Sequence, residues 1–80
     1  MKRYELNKLI RAQLKISGRE LGELVGVTKQ TISHYETGRK VKNTVERVIE
    51  FELDKLIANC TDDLSREFCR WLASRRTEEA

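Results

Sequence analysis

The chain has 80 residues, 36% of them charged and 6% aromatic, with no proline and a formal net charge of +3. That length supports one small hydrophobic core, and no apolar run approaches what is needed to cross a bilayer. Ten Lys/Arg stand against four Asp/Glu in residues 1–42, and six against nine in residues 43–80. A basic half beside an acidic half points to a polyanion-binding front and a back with another task.

Apolar residues recur at helical spacing and β-branched residues form no period-two runs, so the expected fold class is all-α. A first helix spans about Tyr4 to Lys15 and buries Leu6, Leu9, Ile10 and Leu14. Its start is basic, but Glu5, Asn7 and Lys8 interrupt the apolar residues, which argues against a signal peptide. Ser17 and Glu20 form a capping box for a second helix, with Ile16 and Leu21 placed as a hydrophobic staple. Leu21, Leu24 and Val25 carry its apolar face up to Gly26, where a left-handed cap is expected. Thr28 caps a third helix, stapled by Val27 and Ile32, that ends near Gly38. Two helices joined by so short a turn must cross steeply, which outlines a helix-turn-helix.

A basic loop, Arg39 to Asn43, leads into a fourth helix over about Thr44–Asn59. Val45, Val48, Ile49, Leu53, Leu56 and Ile57 share its broad apolar face, and Phe51 falls outside it. A fifth helix over about 61–76 has Thr61 as cap, Asp62 and Asp63 in its first turn, and arginines at its far end. Its stripe is Leu64, Phe68, Trp71 and Leu72. The final Thr-Glu-Glu-Ala reads as a frayed tail. Cys60 and Cys69 have no zinc spacing and read as reduced cytosolic thiols, at least one of them packed against apolar neighbours. No repeats, linkers or low-complexity tracts divide residues 1–80, which read as one domain.

On a helical wheel the third helix has Ile32, Tyr35 and Glu36 on one side and Gln30, Ser33, His34 and Thr37 on the other, flanked by Lys29 and Thr31. The second side is short and polar, and it lacks the Glu/Lys pairs of an ordinary solvated helix. Such a face suits the major groove, where base edges present donors, acceptors and a thymine methyl. Small Gly22 lets the second and third helices approach closely.

Residues 17–38, "SGRELGELVGVTKQTISHYETG", resemble the phage repressor/Cro family of helix-turn-helix proteins, the Xre type. Leu21, Gly22, Val25, Gly26, Val27, Ile32 and Tyr35 fit the pattern together, as does the Tyr35-Glu36-Thr37-Gly38 ending. The likeness extends over roughly residues 5–57. Two departures stand out: Gly18 occupies a position where the family usually has glutamine, and the fourth helix runs long before an additional Trp-containing helix.

The resemblance implies a domain of the lambda-repressor-like type, which the helical pattern of this chain makes a compact five-helix domain with an extra C-terminal helix. It implies base contacts from Thr28, Lys29, Gln30, Ser33 and His34. Phosphate contacts fall to Gly18, Arg19, Thr31, Thr37, Arg39, Lys40, Lys42 and Asn43. It also pairs Glu36 with Arg11 as an architectural ion pair. The expected partner is double-stranded DNA with a roughly palindromic operator, bound by a homodimer in the cytoplasm of a bacterial or phage-infected cell.

The stripe Leu64, Phe68, Trp71 and Leu72 must be buried somewhere, either against the chain's own fourth helix or, together with Phe51, as a dimer or partner interface. A protein antagonist, or the toxin of a toxin–antitoxin pair, is an alternative occupant. A helix-turn-helix interaction module without DNA specificity is the rival from another class. With one histidine, no nucleophile motif, no phosphate-cradling loop and no metal spacing, no enzyme, metal or cofactor is expected.

Overall fold

The computed structural model describes residues 1–79. Five α-helices follow one another: α1 (Arg3–Gln13), α2 (Gly18–Val25), α3 (Lys29–Glu36), α4 (Asn43–Ala58) and α5 (Asp63–Ser74). A 3-10 helix, Arg75–Glu79, closes the chain, and no strand occurs among the described residues. The fold is all-α, as the periodicity predicts.

Local chemistry sets the helix ends. At α2, Ser17 Oγ accepts from the Glu20 amide at 3.0 Å while Glu20 Oε1 accepts from the Ser17 amide at 2.9 Å, which completes the capping box. At α3, Thr28 Oγ1 accepts from the Thr31 amide at 3.1 Å. α1 stops short of Lys15 because that residue turns to φ 61°, a left-handed conformation. The α5 cap is Asp62 rather than Thr61: its carboxylate accepts from the Ser65 amide at 3.3 Å. Hydrogen bonds from the Ser65 side chain and backbone hold the Asp62 carboxyl below its ordinary range. An ionised oxygen satisfies the first-turn donors better than a hydroxyl, which explains the shift by one residue.

The core draws on every α-helix: Leu6 and Ile10 from α1, Leu21 from α2, Ile32 and Tyr35 from α3, Ile49, Leu53 and Ile57 from α4, Cys69 and Leu72 from α5. α5 lies antiparallel along α1. Gln13 Nε2 donates to Ser65 Oγ at 2.9 Å near one end, the Cys69 thiol sits 3.9 Å from the Ile10 carbonyl in the middle, and Arg76 reaches Asn7 beyond the other end.

Several expectations need correction. Leu9, Leu24 and Val48 lie on the edges of their apolar faces and are exposed, because no neighbouring helix reaches over them. Leu72 is buried in the core rather than forming an outer surface. The inward side of α5 continues Ser65, Cys69, Leu72 and on to Arg76, whereas Leu64, Phe68, Trp71 and Arg75 occupy the adjoining outer track. Of the presumed frayed tail, residues 77–79 continue the 3-10 helix, with Thr77 Oγ1 donating to the Ser74 carbonyl at 3.0 Å. Ala80 lies outside the described residues.

Candidate nucleic-acid interface

The α2–α3 crossing rests on two glycines. A Cβ at Gly22 would stand 2.8 Å from the Val27 carbonyl oxygen and 3.3 Å from Thr28 backbone atoms, so only glycine allows this approach. The Gly22 carbonyl accepts from the amides of Gly26 (2.8 Å) and Val27 (2.9 Å), closing the turn. Gly26 adopts φ 89°, the left-handed cap that ends α2. Thr28 then starts α3 at once.

α3 is held from behind by buried Ile32 and Tyr35 and by one ion pair. Arg11 Nε and Nη2 donate to the Glu36 carboxylate at 2.6 and 3.0 Å, and Arg11 Nη1 donates to the Ile16 carbonyl at 2.8 Å. Both side chains are largely shielded from solvent. The fork geometry fixes α3 against α1 and the α1–α2 connection together.

On the outer side of α3, Lys29, Gln30 and Ser33 are exposed, as is Thr28 at its start, and His34 is half-buried. The Thr28 hydroxyl serves as the cap and lies 3.1 Å from Thr31 Oγ1. Thr37 Oγ1 donates to the His34 carbonyl at 3.0 Å, so the Thr37 hydroxyl proton already has an acceptor within its own helix. Arg39, Lys40, Lys42 and Asn43 follow as an exposed basic run. At the start of α2, Gly18 is half-buried beside Ile32 and Lys29, and Arg19 is exposed with Glu23 at 3.6 Å. The arrangement offers amide, hydroxyl and ammonium groups on one helix face, bordered by cations. Base edges need the first set and phosphates the second.

A buried polar network lies behind this face and was not anticipated from the sequence. The Asn7 side-chain amide donates to the Tyr35 hydroxyl at 2.7 Å and to Glu50 Oε2 at 2.8 Å. Arg3 holds the same carboxylate at 2.5 and 2.7 Å. Arg76 Nε donates to Asn7 Oδ1 at 2.8 Å and Nη1 to Asp54 Oδ1 at 2.7 Å. Burial pushes the Glu50 carboxyl up, but the hydrogen bonds from Arg3 and Asn7 and the charge of Arg76 outweigh it, so Glu50 titrates below its ordinary range. Burial pushes the Tyr35 phenol up. One signal was available: Asn7 sits three residues before Ile10 and seven before Leu14, a polar residue on the apolar face. Arg76 gave no comparable signal, standing in a charged terminal stretch.

Away from this face, Leu64, Phe68 and Trp71 are 83%, 44% and 54% exposed, and Phe51 on α4 is also exposed. Phe68 and Trp71 stack with ring centroids 6.2 Å apart, and the Arg75 guanidinium lies 5.0 Å from the Trp71 ring centre. Cys60 and Cys69 are free thiols, and burial raises the Cys69 value. Among the described residues no helix is long and apolar enough to cross a membrane.

No curated protein and no solved structure matches the chain. Residues 8–51, more than half of the sequence, match the family model described as helix-turn-helix. That span holds most of α1, the whole α2–turn–α3 unit and the basic run. With the glycine-closed turn and the outward polar helix face, the match identifies the chain as a DNA-binding regulator of the Xre/lambda-repressor-like helix-turn-helix family.

Proposed function

We propose that the protein is a sequence-specific transcriptional repressor, Cro-like in size, of a prophage or mobile element. One observation carries the reading: Gln30 and Ser33 stand exposed on the side of α3 opposite its buried Ile32 and Tyr35, with exposed Lys29 at its flank and the basic run 39–43 following in the chain. In this reading Gln30 bridges adenine N6 and N7, Lys29 reaches guanine O6/N7 and the Thr28 methyl meets a thymine methyl. Ser33 and His34 complete the base contacts. Arg19, Arg39, Lys40, Lys42 and Asn43 hold phosphates, as do Gly18 and Thr31 near the helix starts; Thr37 joins them only by turning its hydroxyl away from the His34 carbonyl.

The active species is a homodimer on a roughly palindromic operator. The Cα envelope measures 31 × 27 × 17 Å, so two copies fit side by side on half-sites about 34 Å apart. The exposed apolar residues of α4 and α5 exceed what a monomer needs and support a protein partner.

Selection from a randomised duplex pool, followed by titration of the selected and a random duplex across a salt series, tests the reading. The selected duplex should bind roughly a thousandfold tighter, and affinity should fall steeply with salt. K29A/Q30A should erase the preference while leaving the weak binding to random DNA. Equal affinity for both duplexes would discard the repressor reading. A second reading, an antitoxin-type regulator that holds a toxin, is favoured by one specific feature, the exposed Phe68–Trp71 stack on α5. W71A should then release the toxin or antagonist and spare operator binding.

A further inference from the structure

Arg76 is a buried cation at the end of a surface helix, only 6% exposed. Docking the 3-10 helix would need no more than a surface contact such as the one its Nη1 makes with Asp54. Instead the guanidinium enters the interior and gives Nε to Asn7 Oδ1, from a position 69 residues away in sequence. Its Nη2 is buried with no hydrogen-bond partner among the described residues, an expensive placement that an apolar side chain of similar volume would avoid. Asn7 is 1% exposed and hands the constraint on. With its oxygen held by Arg76, its amide nitrogen faces the Tyr35 hydroxyl at 2.7 Å and the Glu50 carboxylate at 2.8 Å. Tyr35 belongs to α3, next to His34 and two residues beyond Ser33. α3 therefore has two polar tethers, Arg11–Glu36 at its end and Asn7–Tyr35 one residue earlier, and the second is completed from the C-terminus.

We propose that Arg76 is a positioning residue for DNA reading: through Asn7 it fixes the Tyr35 hydroxyl, and so the setting of α3 against α1, which gives the C-terminal 3-10 helix control over sequence selectivity. The inference rests on the DNA-reading function proposed above. Lost fixation costs the geometrically demanding base contacts and spares the phosphate contacts, which tolerate small displacements.

R76M keeps the volume and removes the hydrogen bonds. Its melting temperature should fall, because Asn7 Oδ1 is left buried without its donor; well below that transition, affinity for the selected duplex should fall about tenfold while affinity for random duplex stays unchanged. Y35F should lower selectivity similarly, and R76M/Y35F should lose no more than either single variant, since both cut one chain of contacts. A selective R76M, or losses that multiply in the double variant, would overturn the proposal. A wild type that selects no sequence would overturn the DNA-reading function and this proposal with it; a selective wild type with an equally selective R76M removes this proposal alone. Should R76M fail to fold, R76K supplies an arm that needs no DNA. An ammonium lacks the planar fork by which the guanidinium reaches Asn7 and Asp54 from two separate nitrogens, so amide hydrogen exchange should quicken in α3 and not in α2. Equal change in the two helices would reject positioning through Tyr35.

Discussion

At Gly22 a methyl group has nowhere to go, because the atoms it would meet are backbone atoms of the turn itself, the nearest at 2.8 Å. Gly22→Ala must therefore push α2 and α3 apart, with an expected loss of about 2 kcal/mol and a loss of operator affinity larger than stability alone explains. Gly26 poses a different problem. It has φ 89° and open space around it, so Gly26→Ala bears only backbone strain, about 1 kcal/mol, and Gly26→Asn less. Urea midpoints for the three variants should rank in that order, and a Gly22→Ala variant as stable as Gly26→Asn would contradict the crossing geometry described above. Gly18 is the permissive member: a Cβ there meets Ile32 Cγ2 at 3.8 Å, an ordinary contact. Gly18→Gln, which restores the residue type usual in the family, should keep the fold and tighten DNA binding about threefold through one added hydrogen bond. Unchanged affinity in a titration would mean that this end of α2 stands off the phosphate backbone.

Helices were legible in the sequence to the extent that their information is local. Ser17 with Glu20, Thr28 and Gly26 act on residues within one turn, and residue type plus spacing reveals them. Leu9, Leu24 and Val48 show where that information ends. Periodicity gives the direction in which a side chain points, but burial depends on whether another helix covers that direction. The α1 terminus falls between the two cases. Lys15 takes φ 61° in a position that a glycine occupies at lower cost, and the Ile16 amide closes on the Arg11 carbonyl at 3.4 Å across it. Lys15→Gly should stabilise the domain by about 0.5–1 kcal/mol, raising the melting temperature by roughly 4 °C. Lys15→Ala is the control, since it removes the charge near Asp62 and keeps the Cβ. A gain from alanine as large as that from glycine would assign the effect to charge and not to backbone conformation.

For the molecule as a whole, the information that sequence periodicity lacks is in the polar network, where residues 3, 7, 35, 50, 54 and 76 meet. No window of the sequence contains two of its distant members; Tyr35 reads as core with a hydroxyl in need of a polar partner, and each of the others alone reads as a surface residue or an interruption. Glu50 carries the network's acid response. Its carboxyl titrates below the ordinary range in the folded chain, so its contribution to stability is present in full above the unfolded value of about 4.3 and is lost as pH falls through the lower folded value. Tyr35, raised by burial, acts at the opposite end: stability is lost as pH climbs past about 10, where the unfolded phenol ionises first. Glu50→Gln keeps the shape and removes the charge facing Arg3, Asn7 and Arg76. At neutral pH it should cost about 2 kcal/mol, because hydrogen bonds to a charged acceptor are weakened together. The difference from wild type should shrink as the pH drops below about 4, where the unfolded carboxyl takes up its proton, and should level off below the lower folded value, where folded wild type also carries a neutral carboxyl. Urea denaturation at a series of pH values measures both chains directly. A difference that stays constant down to strongly acidic pH would mean that the carboxylate's charge is not what holds α1, α4 and the C-terminal 3-10 helix together, and that packing around Asn7 does that work instead.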